Sequence, residues 1–198
     1  MSTSLRPWVV LIIAACCTGW AHARGPLEAR AERGERFVPS PGVAKVAALG
    51  FEALLADYHW LQAVQIVGGN DVVEASHAHH IAKLVDVVTT LNPHVSHPYR
   101  FAAVWLDHDE ELVQEGNRLL RRGIEFHPDD WRQYFYLGFN HFFHLREFEE
   151  AALALEAAMD LPGAPAYLPR LVARLRSEIG DVEVAEVFLR QLIENTRE

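Results

Sequence analysis

Apolar residues recur along this chain at three- and four-residue intervals from Val43 to Ile193, interrupted at regular points by Pro, Gly or Asp. That spacing turns one face of an α-helix toward a core, and no stretch alternates long enough to make a strand. The pattern predicts helices in pairs. Leu54, Leu55, Tyr58, Leu61, Ala63 and Gln65 belong to a helix ended by Gly68-Gly69, and a second runs from about Val73 to Leu91, stopping before Pro93. The next pair opens near His97-Pro98 with Phe101, Val104, Trp105 and Leu106, and continues from about Glu110 to Phe126. A third follows the caps Asp129 and Asp130: Trp131 to Phe143, then Glu147 to Asp160. Leu168–Ile179 and Val182–Ile193, joined by Gly180-Asp181, make a fourth. Asn92-Pro93, His127-Pro128 and Leu161-Pro162 close successive pairs at gaps of 35 and 34 residues. A fixed period of that length marks stacked helical hairpins, none of which can bury its apolar face alone.

The third and fourth pairs resemble tetratricopeptide repeats. The residues that carry the likeness are Tyr134, Leu137-Gly138 and Phe142 on one helix, then Phe148, Ala151, Leu155, Ala158 and Pro162 or Gly163 on the next. Gly180-Asp181, Ala185 and Leu189 repeat the turn and second helix. Gly138 and Ala151 are small where two helices cross, and Leu155 and Phe142 fill the groove between them. Between Gly138 and Ala151 the match is one residue out of step, so the turn near Leu145-Arg146 is expected to be longer by one. The second unit is degenerate, with Gly116 and Gly123 in small positions and Val104 where Gly is usual. The first keeps its terminal Pro and the Tyr58-Trp60 helix. Over residues 50 to 196 the resemblance implies an all-α, right-handed α-solenoid of about four antiparallel helix pairs.

In that family the first helix of each pair lines a concave groove. The resemblance therefore puts Arg132, Phe135, Phe139 and Phe142 on or beside the groove, with Arg100 and Arg170 near the starts of the neighbouring first helices. Phe142 also fits an inter-repeat core, and Phe135 and Phe139 fit either role. Arginine next to exposed aromatic rings suits a protein or extended peptide with a carboxylate or apolar anchors.

The ends of the chain set the expected compartment. Residues 1–23 read as an export signal: Arg6 is the only charge, Trp8 to Cys17 is apolar, and Ala21-His22-Ala23 has the small-x-small form of a cleavage site. Ile13-Ala14-Ala15-Cys16 offers a second reading, a lipoprotein signal with lipidation of Cys16. A third is an uncleaved anchor, for which Pro7 to Ala21 is short. Residues 24–42 form a polar linker with Arg24, Arg30, Arg33 and Arg36, and residues 43–198 form the repeat domain. The arrangement points to the periplasm or the periplasmic face of a bacterial membrane. Both cysteines, Cys16 and Cys17, fall in the apolar segment, so the folded part depends on packing rather than disulfides. A net charge of -9 without a basic stripe argues against nucleic acid as a partner.

Eleven histidines raise the alternative of a periplasmic metal-binding protein. His77 with His80, and His141 with His144, share helix faces at i, i+3, and His94 and His97 repeat the spacing in a loop. No His-Glu-x-x-His or paired-Cys pattern supports a metal site, and solvated helix faces account for the same residues. Asp107-His108-Asp109-Glu110-Glu111 lacks the Gly and spaced ligands of a calcium loop. It reads as a polar turn placing carboxylates at the positive end of a helix dipole. With no phosphate loop or nucleophile motif, the expectation is a non-enzymatic scaffold or adaptor with no metal and no cofactor.

Overall fold

The computed structural model describes residues 13–17, 37–70 and 72–180. The chain divides into two compact units, Met1–Phe37 and Val38–Glu198. In the first, residues 13–17 are helical and both cysteines are exposed free thiols. In the second, all regular structure among the described residues is helical: α1 (Pro41–Ala47), α2 (Glu52–Gly68), α3 (Ala75–Leu91), α4 (His97–Trp105), α5 (Glu110–Phe126), α6 (Trp131–Asn140), a π-helical turn (His141–Leu145), α7 (Phe148–Met159) and α8 (Leu168–Ile179). The expected helix from Val182 to Ile193 lies outside the described residues. None of the described helices is long and apolar enough to cross a membrane.

Local chemistry sets the helix ends. Pro41, Pro98 and Pro169 sit in first turns, where the missing N–H has no intrahelical partner to lose. The Asp109 carboxylate caps α5 by accepting the Leu112 N–H at 2.9 Å, with Glu110 and Glu111 behind it in the first turn. The acidic run is thus a helix start. Of the two aspartates before Trp131, Asp130 is the cap and accepts from the Arg132 N–H. The sequence reading carries helix on from Val43, but Leu49 and Gly50 adopt positive φ (48° and 90°) and split off α1. Gly50 tolerates that conformation without cost.

Helices pack chiefly on their neighbours in sequence, with further contacts between α1 and α3, α3 and α5, and α4 and α6. Ala44, Ala48 and Ala56 bring α1 and α2 onto Val87, Val88 and Leu91 of α3. Ile81, Val85, Tyr99, Ala102, Leu106 and Leu119 bind α3, α4 and α5 together. Ala103, Leu120, Leu137 and Ala154 continue the core into α7, where Leu155 takes it up together with Leu168 and Val172 of α8.

Polar contacts cross between successive pairs at the interval of the sequence repeat. The His127 ring donates through Nε2 to the Pro93 carbonyl (3.2 Å, 34 residues apart), and the His108 ring to that of Val73 (2.6 Å, 35 residues apart). The Gln133 amide reaches the Ser96 carbonyl at 3.1 Å, and Asn140 donates to Asn117 at 2.8 Å, with all three side-chain amides buried. Asp86 of α3 pairs with Arg118 and Arg122 of α5 at 2.8 and 2.9 Å.

Helices α6 and α7 approach closely at Gly138. A Cβ on Gly138 would stand 2.7 Å from Leu155 Cγ and 3.1 Å from the Ala151 carbonyl oxygen, a backbone atom that cannot swing aside. The one-residue slip in the sequence pattern appears just beyond it. His141–Leu145 winds as a π-helical turn, which absorbs one residue more than an α-turn, and Arg146 then takes a left-handed conformation (φ 59°). The Glu147 N–H closes back on the His141 carbonyl at 2.9 Å.

These contacts predict opposite outcomes for one substitution at two glycines. Gly138→Ala forces α6 from α7 and lowers unfolding free energy by about 1–3 kcal/mol. At Gly116, by contrast, a Cβ would meet its nearest neighbours at 3.8 Å. Gly116→Ala therefore leaves packing intact and gains about 0.5–1 kcal/mol of helix propensity. Urea denaturation of both variants checks the pair; equal effects would contradict the packing described.

His59, buried on α2 with its Nδ1 unpartnered, gives a pH dependence. Desolvation by burial lowers its pKa, against a smaller opposing effect of a hydrogen bond with Gln62. The unfolded imidazole takes its proton near pH 6.5, so this stability is complete above that pH. It is lost as pH falls from there toward the lower folded value, by at most about 1.4 kcal/mol per pH unit. Melting curves from pH 7.5 to 5.5 should fall less steeply for His59→Leu than for wild type, and parallel profiles would refute the assignment.

Candidate functional site

Two adjoining depressions open on α6, the part of the chain richest in aromatic residues. The first is an apolar cleft of about 260 Å³ lined by Phe135, Phe139, Phe142, Leu155, Leu171, Leu175 and Arg174. The second, also about 260 Å³, is lined by Arg100, Trp131, Arg132, Phe135 and Tyr136. Phe135 is common to both, so an apolar slot and a cationic slot lie side by side.

The cleft is assembled from three helices and the π-helical turn. Its floor is Leu155 of α7, the same side chain that presses on Gly138. Phe142 comes from the π-helical turn and meets Phe148 edge to face at 5.8 Å, half-buried against the α7–α8 core. Phe139 lies more open and stacks on Phe143 with ring centroids 5.4 Å apart and planes 12° from parallel. Leu171, Arg174 and Leu175 form the α8 wall, one turn apart at i, i+3 and i+4.

The cationic slot is organised around the α6 cap. Arg132 lies over the Trp131 ring at 4.7 Å, and its guanidinium is 3.5 Å from Asp130. Arg100 approaches the same carboxylate at 3.8 Å. Arg100 and Arg132 thus share the Asp130 carboxylate, with Asp129 next to it in the chain. Neighbouring His97 has its pKa lowered, first by burial and then by Arg100, so it adds no proton charge near neutrality.

Of the residues singled out from sequence, the structure gathers Arg100, Arg132 and Phe135 in one slot, and Phe135 and Phe139 in the other. Arg170 is exposed on α8 but lines neither; Arg174, one turn on, takes the place at the cleft. The α8 wall was missed although the i, i+3, i+4 spacing of Leu171, Arg174 and Leu175 carried a signal. Cys16 is exposed in the first unit.

The histidines have other partners. His77 accepts from the Glu74 N–H at the start of α3, and His79 bonds the Ala75 carbonyl at 2.9 Å. His141 pairs with Glu147 at 2.6 Å, and His144 packs its ring against Phe139 and Phe143. Among the described residues, no group of three or more His, Cys, Asp or Glu is placed to hold a metal ion.

No protein-family model matches this chain, and comparison with characterised proteins gives no match.

The α8 wall is held by Arg176, which is buried and donates to Glu156 (2.6 and 3.0 Å) and Glu149 (2.6 Å) of α7. Side-chain hydrogen bonds to Glu156 are the largest influence holding its pKa above the ordinary arginine value, outweighing burial. Arg176→Met removes these charge-assisted bonds and should cost about 2 kcal/mol. Thermal unfolding measures the loss; a variant as stable as wild type would show that packing alone fixes α8.

Proposed function

We propose that this chain is an exported, non-catalytic adaptor of the bacterial cell envelope that grips a partner protein or extended peptide on α6 and α8. The observation carrying this reading is the apolar cleft joined through Phe135 to a slot with two arginines. A cleft of about 260 Å³ accepts one or two apolar side chains. The arginines beside it suit a carboxylate on the same segment, and Trp131 offers an aromatic face. Nucleic acid is a poor fit to a chain of net charge -9.

In this reading the helices form a tetratricopeptide-like right-handed α-solenoid, with α2–α3, α4–α5 and α6–α7 as successive antiparallel pairs and α8 opening the fourth. Support comes from hydrogen bonds that recur 34 and 35 residues apart and from the tight Gly138–Leu155 contact. The export signal and the Cys16 pattern support a product held at the periplasmic face, tethered through a lipid on Cys16.

A photo-crosslinking amino acid at Phe139 should trap a discrete partner in growing cells, whereas one at exposed Lys83 on α3 should not. Leu171→Asp, exposed on α8, should weaken that partner at least about tenfold, or about 1.4 kcal/mol, without lowering helix content. Equal adducts from Phe139 and Lys83 would overturn the cleft as the binding site. Mass spectrometry of the mature N-terminus decides the tether: a lipidated Cys16 supports it, and a free Arg24 start refutes it.

A further inference from the structure

The cleft between α6 and α8 has a chemistry narrower than apolarity. Three of its lining side chains are phenylalanines: Phe135, Phe139 and Phe142. Each already pairs with rings outside the cleft. Phe135 meets Trp131 and Tyr136, Phe139 meets Phe143 and His144, and Phe142 meets Phe148. None of these contacts joins one of the three to another across the opening. Attracting aromatic pairs have centroids roughly 4.5–7 Å apart, so the three rings stand too far from one another to pair. Their sides toward the cleft are left without an aromatic partner. The remaining lining side chains are Leu155, Leu171 and Leu175, with Arg174 on the α8 wall.

We propose, taking the cleft as the place where a partner docks, that its occupant is the phenyl ring of a phenylalanine in that partner. A ring set among Phe135, Phe139 and Phe142 supplies the missing edge-to-face or offset contacts, which a saturated side chain of the same size cannot. The guanidinium of Arg174 brings a cation to the wall. A cation attracts the electron-rich face of a ring and has no such attraction for an alkyl chain. Arg174 also limits the polarity of the occupant. It is the sole lining side chain with a hydrogen-bonding group, and that group only donates. A lysine or arginine is repelled there, and a tryptophan N–H finds no acceptor among the lining side chains. Size agrees as well. An enclosed cavity of about 150 Å³ is enough for benzene, so a cleft of about 260 Å³ holds a phenyl ring with its stem.

The test titrates the full chain, purified in mild detergent and methyl-labelled at leucine, with capped pentapeptides of sequence glycine-serine-X-serine-glycine. X is phenylalanine, leucine or cyclohexylalanine, the last a saturated ring at least as apolar as phenyl. The methyl resonances of Leu155, Leu171 and Leu175 report occupancy of the cleft. The phenylalanine peptide should bind at least about fivefold tighter than either of the others, the gain of one or two aromatic pairs. If cyclohexylalanine shifts the same resonances and binds as tightly as phenylalanine, the cleft reads bulk rather than aromaticity. That outcome overturns the proposal and leaves the docking site standing. If none of the three peptides shifts these resonances at millimolar concentration, the docking site itself falls, and the proposal with it. Phe139→Leu combined with Arg174→Met keeps the cleft apolar and should bring the phenylalanine and cyclohexylalanine affinities within about twofold of each other. An undiminished preference in that variant would refute the roles given to this ring and this cation.

Discussion

The contact of Gly138 with Leu155 and the Ala151 carbonyl fixes the part of the molecule that holds the apolar cleft. With no Cβ at position 138, α6 and α7 meet almost backbone to side chain. Leu155 is held there from one side and forms the cleft floor on the other. A wider crossing would move Leu155 away from Phe135 and Phe142 and merge the cleft with bulk solvent. The π-helical turn follows from the same constraint. One extra residue must be accommodated between the fixed crossing and the start of α7, and it is wound into His141–Leu145 rather than into a longer loop. That winding carries Phe142 toward α7 and leaves Phe143 outside, stacked on Phe139.

Apolar packing alone would let successive helix pairs slide, because alanine and leucine faces fit in more than one register. The polar contacts remove that freedom. Burying an amide without a partner costs about 1–3 kcal/mol. Asn140 therefore holds to Asn117, and Gln133 to the Ser96 carbonyl. Arg122 ties α5 to α3 by bonding Thr89 and Thr90 as well as Asp86. The Pro93 carbonyl, at the end of one pair, accepts from both Tyr99 and His127 of the next. Burial pushes the Tyr99 phenol up to about 12, so this donor stays protonated throughout the physiological range.

Much of the helical architecture was legible because its signals are local. The Pro-closed period of 34 and 35 residues, the acidic caps at Asp109 and Asp130, and the small residues at Gly138 and Ala151 each act within a turn or across one hairpin. The one-residue slip before Ala151 was visible as well, though not its form as a π-helical turn. The break at Leu49-Gly50 was missed because Ala44, Ala48 and Leu55, four and seven residues apart, keep a helical spacing across it. The polar seam was also hidden, since nothing local distinguishes Asn117 or Gln133 from a solvated side chain. Arg100, Arg132 and Phe135, named from their expected positions on first helices, line one depression together. Choosing Arg174 over Arg170 required knowing how α8 is rotated, which Arg176 sets through Glu149 and Glu156 on another helix.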